Sequence, residues 1–299
     1  MELFRQMVNR SITIGLETKK TSLKSLSLAA YQRLKIYRTR SEYRLCAISR
    51  AAGILKNYLN LSKKLRVREP YCGRASVTIC YGIKIKDNQL YLPGGFHLYL
   101  NDYVLRTLGQ PGIRVRSATL TVSKIGVSYS REVQMVKLEG MMSIDNNLGN
   151  VTAADSLGNI LVHDLSKVTM VKSAARQAMA GFTRDDRRIR PRIFGKYGCI
   201  ERNKTQWLMH NVSKKLVDHA KTNRLGIVLE RINGIRRLYR KGNGQGRWYR
   251  ARMNSWSYHE LDRQISYKAA WEGLKVFHVN PKGTSSKCSA CGDRMVFSK

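Results

Sequence analysis

Acidic residues are scarce in this chain of 299 residues, which has 20 Asp and Glu against 55 Lys and Arg. The net charge of +35 excludes an acidic solvating protein and calls for a polyanionic partner. Proline is rare as well, with five residues, and no run approaches the roughly 18 uninterrupted apolar residues of a membrane span. The first 30 residues lack a compact apolar segment, so we expect no secretory signal and a cytoplasmic location.

The cysteines are few and irregularly spaced, which excludes a disulfide scaffold and favours a reduced setting. Four of the six are scattered, whereas Cys288 and Cys291 form a CxxC pair. Two thiolates on a tight turn are typical of one half of a tetrahedral zinc site. A redox dithiol is the alternative, but the preceding strand lacks a thioredoxin-like context, so we favour zinc.

Positive charge is spread through segments with the composition of folded protein. Residues 1–70 hold 16 basic and four acidic residues, and residues 181–260 hold 20 and six. This distribution predicts an extended nucleic-acid surface rather than a short basic arm, because phosphates release counterions when Lys and Arg neutralise them. A structural RNA-binding protein of ribosomal type remains open on charge alone.

Three segments of different amino-acid composition follow one another along the chain. Residues 19–65 are rich in Leu, Ala, Lys and Arg and contain one Gly and no Pro, which predicts two or three basic helices ending before Pro70. The stretch from 75 to 133 is β-branched and aromatic, with Gly, Asn and Asp at its breaks, and indicates strands of a barrel or sandwich.

The third segment begins at residue 136. The predicted elements are, in order, strands at 136–145, 151–155 and 160–164, a helix at about 201–222, a strand at 225–230, a helix near 256–273 and a strand at 274–279. Three antiparallel strands followed by helix, strand, helix and strand is the order of an RNase H-like domain.

Two carboxylates end strands of this predicted domain. Asp145 ends the first strand and Glu230 ends the fourth. If these strands are neighbours, both side chains reach one sheet edge and can share two Mg²⁺ ions that activate water against a phosphodiester. The alternatives are ordinary: an Asp before a turn is commonly a turn former, and a Glu at a strand end is commonly just solvated.

A run near the end of the sequence carries a family resemblance. NSWSYHELDRQISYKAAWEGLKVFHVNPKGTSSKCSACG (254–292) contains Tyr267-Lys268-Ala269, and Thr284-Ser285 ahead of the cysteines. It resembles the C-terminal region of TnpB (OrfB) proteins, the transposon-encoded, RNA-guided relatives of type V CRISPR effector nucleases. Residues 143–159 resemble the first RuvC motif of that family, and residues 225–237 resemble the second.

By position, the resemblance assigns Asp145 and Glu230 to the first two catalytic acids, and Cys288 and Cys291 to the first zinc pair. The family also has a second CxxC and a third catalytic Asp on a following helix, and the sequence contains neither. Asp293 directly follows the cysteine pair, which is the wrong place for that role. We therefore expect a C-terminally truncated chain.

The resemblance also implies an architecture and partners. We expect an α/β RNase H-like (RuvC) nuclease domain at 136–280, preceded by a basic helical recognition-like region at 1–69 and a β-rich, wedge-like barrel at 70–135. Residues 281–299 would be the first half of a zinc-binding knuckle. The implied partners are a guide RNA and a target DNA, with base pairing reading the sequence and the protein reading a short flanking motif.

A Gly- and Arg-rich segment follows the second acid. Its mixture of guanidinium groups and aromatic rings suits a single strand or RNA. The predicted nucleic-acid contacts are Arg236, Arg237, Arg240, Arg247, Trp248 and Arg250. An ordinary exposed loop is the alternative.

The sequence thus predicts a transposon-associated, RNA-guided DNA endonuclease that uses a two-metal mechanism and is inactive as this truncated chain. The alternative is a non-cleaving RNA- and DNA-binding module, such as a guided repressor or a relic. The paired acids favour the nuclease, and the missing third acid favours the module.

Overall fold

The computed structural model describes residues 1–63, 65–182, 187–232, 234–240, 242–281 and 293. The chain divides into two compact units, Met1–Glu132 and Val133–Lys299. Within the described ranges, no helix combines the length and the apolar character that crossing a membrane requires.

The first unit combines helices with two small antiparallel sheets. Its described helices are α1 (Glu2–Glu17), α2 (Leu23–Ala30), a 3-10 segment (Arg33–Tyr37), α3 (Ser41–Ser62) and α4 (Asp102–Leu108). Its strands are β1 (Val77–Ile79), β2 (Lys84–Lys86), β3 (Gln89–Leu92), β4 (Phe96–Tyr99), β5 (Ile113–Leu120) and β6 (Ile125–Arg131). The strand orders are β1-β5-β6 and β2-β3-β4. Side chains of the helices and of both sheets share one buried cluster, which includes Met7, Leu55, Ile79 and Leu90.

The β-rich part differs from the predicted barrel, because its described strands form two separate open sheets. Strands β2 to β4 are only three or four residues long and pair with their sequence neighbours. Asp87 and Asn88 both take positive φ in the β2–β3 turn, which closes this hairpin locally. Asn101 then caps α4 by accepting from the Val104 N–H at 2.9 Å, so a helix interrupts the run of strands.

The second unit is built on one mixed sheet. Its described strands are β7 (Gly140–Asn146), β8 (Asn150–Asp155), β9 (Ile160–Asp164), β10 (Leu225–Glu230) and β11 (Val276–Val279). Its described helices are α5 (Ser166–Ala180), α6 (Arg190–Thr222), a 3-10 turn (Ile235–Arg237), α7 (Arg247–Asn254) and α8 (Tyr258–Trp271). The strand order is β11-β10-β7-β8-β9, with β10 parallel to both β7 and β11 and with β7, β8 and β9 antiparallel. Three antiparallel strands followed by two more strands is the order that the sequence predicts.

Alternation along β7 separates the two faces of this sheet. Met142 and Ile144 are buried in a cluster with Leu216 of α6 and Ile265 of α8. The residue that follows Ile144 is Asp145, which is exposed on the opposite face. The helices therefore cover one face and leave the acidic side chain accessible.

The described helices of this unit differ from the prediction in three places. Helix α6 begins at Arg190 rather than near residue 201, and its added turns are mostly exposed, so they lack the apolar recurrence that marks the rest. Helix α5 follows β9 without having been predicted. The Arg-rich loop contains α7, which begins after the extended Gly246.

Candidate active site

The ends of two neighbouring parallel strands bring Asp145 and Glu230 together. Leu229 of β10 pairs with Ile144 of β7, and the two acids are the next residue on each strand. In this register they lie side by side on the same face, on strands about 4.8 Å apart. Two carboxylates therefore meet at the carboxyl edge of the sheet.

Both carboxylates line an open cavity of about 460 Å³. The other lining residues are Asn146, Asn147, Ile232, Ile235, Trp256 and Pro281. Asp145 Oδ2 accepts a hydrogen bond from the Asn147 side-chain amide at 2.8 Å, which orients the carboxylate within its own turn. Glu230 is half-buried. One wall of the cavity is thus polar, and the other carries an indole ring and aliphatic side chains.

The indole wall is fixed to the acid-bearing strand through Asn146. Trp256 Nε1 donates to Asn146 Oδ1 at 3.4 Å, and Asn146 Nδ2 donates to the Tyr258 carbonyl at 3.4 Å. The rings of Trp256 and Tyr258 pack with their centroids 5.2 Å apart. The residue after Asp145 therefore attaches β7 to the start of α8.

Helix α5 contacts the residues that flank Trp256. Lys172 Nζ donates to the Ser255 carbonyl at 2.8 Å and also to Ser257 Oγ. Burial lowers the pKa of the Lys172 ammonium group, and Glu201 partly opposes that shift. Because these bonds hold the residues on either side of Trp256, Lys172 positions the indole. No sequence motif marked Asn146, Lys172 or Trp256 as site residues.

A smaller cavity of about 50 Å³ is also lined by Glu230. It contains a further carboxylate, Asp262 of α8, whose Oδ1 lies 3.1 Å from Nε2 of His278 on β11. Both side chains are about one-third exposed, at 31% each. Glu230 thus lines both cavities, with Asp145 in the larger one and with the Asp262–His278 pair in the smaller one. Sequence spacing did not indicate the Asp262–His278 pair.

Within the described ranges, no group of three or more His, Cys, Asp or Glu side chains is arranged to hold a metal ion. The Asp145–Glu230 pair nevertheless fits the requirements of Mg²⁺, which keeps several waters and takes one or two protein carboxylates plus substrate phosphates. The carboxylates offer hard oxygen donors, and the cavity has room for water and for phosphate.

The residues predicted to bind nucleic acid lie on or beside two short helical segments that follow Glu230 along the chain. They are Arg236 and Arg237 on the 3-10 turn, Arg240 after it, and Arg247, Trp248 and Arg250 on α7. Ile235, the first residue of the 3-10 turn, lines the cavity. Trp248 is 86% exposed, and Tyr239 and Tyr249 pack edge to face with centroids 5.8 Å apart. Nucleic-acid contact by this segment stays a prediction.

The predicted zinc ligands Cys288 and Cys291 lie outside the described residues, so zinc binding stays a prediction as well. Asp293 is described and exposed.

The Tyr267-Lys268-Ala269 signature has a structural role. Lys268 Nζ donates to the His210 carbonyl and to Ser213 Oγ, each at 2.7 Å, and its burial lowers the pKa of the ammonium group. Ala269 is fully buried. These contacts attach α8 to α6.

Comparison with known proteins first gives the class. A family model for the Cas12f1-like TNB domain matches residues 258–299. A cryo-EM structure of the Cas12f1–sgRNA–target DNA complex is similar at TM-score 0.62 and 14% identity, covering 98% of this chain and 74% of that chain. The chain therefore has a Cas12f-like α/β fold of helices and mixed sheets.

Sequence relatives narrow the relationship. A TnpB-like protein of Methanocaldococcus jannaschii is 26% identical over 210 residues, which are 67% of this chain and 74% of the relative. The CRISPR-associated endodeoxyribonuclease Cas12f1 of Sulfoacidibacillus thermotolerans is 31% identical over 85 residues, which are 28% of this chain and 18% of the relative. The chain is related to TnpB and Cas12f nucleases, and the resemblance predicted from the sequence is confirmed.

Proposed function

We propose that this chain is an RNA-guided nuclease of the TnpB type, with an RNase H-like (RuvC) domain that acts on DNA. The observation that carries the proposal is the placement of Asp145 and Glu230 side by side at the carboxyl edge of β7 and β10. The TnpB-like relative and the Cas12f1 endodeoxyribonuclease support it.

Asp145 and Glu230 would hold Mg²⁺. When bound, the ions supply Lewis-acid stabilisation of the charge that develops on phosphodiester oxygens. The chain's own part is to present two carboxylates at one edge, to orient Asp145 through Asn147 and to fix Trp256 against Asn146. Arg236 and Arg237 directly follow Ile235, which lines the cavity. Their guanidinium groups would neutralise the phosphates of the bound strand.

The proposed partners are a guide RNA and a target DNA. A net charge of +35 suits both, and the related Cas12f1 was solved with sgRNA and target DNA. Base pairing would carry sequence specificity, while the protein would recognise duplex shape and a short flanking motif. We assign recognition-like and wedge-like roles to residues 1–69 and 70–135, and a structural Zn²⁺ half-site to Cys288 and Cys291.

A non-cleaving binding module is the second candidate. The specific observation that favours it concerns the described residues: two acids among them line the larger cavity, and they offer no group of three or more metal-ligating side chains. In that case residues 1–299 would bind guide RNA and DNA without magnesium-dependent cutting.

One experiment tests the RNA partner and the metal site separately. RNA that co-purifies with residues 1–299 is sequenced, and Mn²⁺ binding is followed by electron paramagnetic resonance in the RNA complex with a DNA strand. We expect one defined RNA species, and at least tenfold weaker Mn²⁺ binding in Asp145→Asn and Glu230→Gln. Asp87→Asn is the matched control, since Asp87 is an exposed carboxylate in a turn of the other unit.

The absence of a defined RNA would rule out the RNA-guided assignment. Unchanged Mn²⁺ binding in both variants would rule out the acid pair as the metal site. Guided, magnesium-dependent cutting by residues 1–299 would remove the requirement for a third Asp and the case for a non-cleaving module.

A further inference from the structure

Helices α5 and α6 form an open groove that the proposed nuclease chemistry does not use. Its volume is about 570 Å³, and its lining residues are Lys167, Met170, Val171, Asn203, Lys204, Trp207 and Leu208. None of them lines the cavity of Asp145 and Glu230. Trp207 and Met170 are each 66% exposed. A large indole left open on a helix marks a surface suited to a partner with a flat apolar face.

Lysines flank this indole along α6. Trp207 follows Lys204 by three residues and precedes Lys214 by seven, so all three lie on one side of the helix. All three side chains are exposed. Lys204 and Lys214 are about 15 Å apart along the axis, which spans several phosphate spacings of a nucleic-acid strand.

The charge of the helix pair favours a polyanion. Helices α5 and α6 together contain eleven Lys and Arg against two acidic residues. Lys167 of α5 adds a cation on the opposite side of the groove. An aromatic platform between cations is the arrangement that binds unpaired bases, because the ring stacks on a base while the ammonium groups reach the adjacent phosphates. A duplex offers no free base face for such stacking.

The groove walls favour DNA over RNA. Met170, Val171 and Leu208 form an apolar surface beside the indole. A deoxyribose packs against such a surface without penalty, whereas a buried 2′-hydroxyl would need a hydrogen-bond partner. We propose that this groove binds single-stranded DNA, with one base stacked on Trp207 and phosphates of the same strand near Lys204 and Lys214. The inference rests on the proposed nucleic-acid function and adds to it a strand site outside the Arg236–Arg250 segment.

The test uses the full chain freed of RNA, in EDTA, with fluorescein-labelled oligo-dT and oligo-U read by anisotropy. Trp207→Ala should weaken oligo-dT binding roughly tenfold or more, the usual effect of losing one stacked base. Trp207→Phe keeps an aromatic face and should recover most of the affinity. Measurements at about 200 mM salt suppress non-specific binding, and ultraviolet cross-linking should place the oligo-dT adduct on Trp207.

Lysine variants give an independent readout. Lys204→Gln with Lys214→Gln should lower the slope of log affinity against log salt by about 1.4, since each phosphate contact on a single strand contributes about 0.7. Lys221→Gln is the matched control: it removes the same charge from α6, but Lys221 lies 14 residues beyond Trp207 and pairs with Glu272 at 2.5 Å. We expect that control to stay within twofold of wild type.

Several outcomes would overturn the site. Oligo-dT affinity unchanged in Trp207→Ala, or reduced equally in Lys221→Gln, would exclude stacking in the groove. A larger loss for oligo-U than for oligo-dT would exclude DNA as the occupant. A changed oligomeric state with unchanged oligo-dT affinity would make the groove a protein surface. If wild type binds neither oligonucleotide, the proposed function fails too, whereas normal wild-type binding with unaffected variants excludes only this groove.

Discussion

Asp155 shows how a single carboxylate can join a turn to a helix. It ends β8, and its oxygens accept hydrogen bonds from His219 Nε2 at 2.8 Å and from the backbone N–H groups of Leu157 and Asn159 at 3.0 and 2.9 Å. His219 belongs to α6, so the β8–β9 turn is fixed to the helix layer. These donors, His219 foremost, hold the pKa of Asp155 well below its usual range.

This contact predicts a specific acid sensitivity. Because the folded-state pKa of Asp155 lies below the unfolded value of about 3.8, the ionised carboxylate stabilises the fold above that value, and the stabilisation declines as pH falls from that value through the folded-state pKa. Urea unfolding between about pH 6 and pH 3 should show a shallower fall in unfolding free energy for Asp155→Asn than for wild type. His219→Leu, which removes the main donor, should behave likewise. A wild-type slope in both variants would show that the contact does not stabilise the fold.

The residues in and around the Asp145–Glu230 site differ in how far the sequence could predict them. Asp145 and Glu230 each end a strand with a clear β pattern, so their position was visible. Trp256 donates a hydrogen bond to Asn146, which is 110 residues away in the chain. Lys172 donates to the carbonyl of Ser255, the residue before Trp256, and it lies on helix α5, which was not predicted. Such partners are set by tertiary packing, which single-sequence periodicity does not encode.

At the scale of elements, packing overrides local propensity. Helix α1 lies within the region 1–69 that was expected to be helical but ahead of the stretch 19–65 in which helices were recognised, and its centre contains the weak helix formers Ser11, Ile12 and Thr13. Its buried residues nevertheless pack against α3 in the first core. The approach is close at Gly15, where an added Cβ would lie 2.5 Å from Leu55 Cδ1. The crossing of these helices therefore leaves little room for a Cβ at position 15.

Two glycine substitutions test this packing. Gly15→Ala should lower the unfolding free energy by about 1–2 kcal/mol, since overpacking against the fully buried Leu55 exceeds the gain in helix propensity. Gly53→Ala is the matched control, because Gly53 also lies in a helix and an added Cβ there meets nothing within 4 Å. It should raise the unfolding free energy by about 0.5–1 kcal/mol. Urea titration measures both changes, and a stabilised Gly15→Ala would contradict the close crossing.

At the scale of the whole molecule, charge opposes folding. Each unit has its own buried cluster, yet the chain carries a net charge of +35, and excess charge of one sign destabilises a compact state by self-repulsion. Salt screens that repulsion, with a Debye length of about 10 Å at 0.1 M. The same salt weakens binding to a nucleic acid, because released counterions are then less favoured.

The free and RNA-bound forms should consequently respond to salt in opposite directions. Between about 50 and 500 mM NaCl, the Tm of the RNA-free chain should rise by several degrees as self-repulsion is screened. The Tm of the RNA complex should start higher, since a ligand that binds only the folded state stabilises it, and then fall as the RNA dissociates. Differential scanning fluorimetry of the two preparations measures both trends. If the Tm of the RNA-free chain falls with salt, its positive charges are compensated within the fold. Bound RNA would then not be needed to relieve repulsion among them.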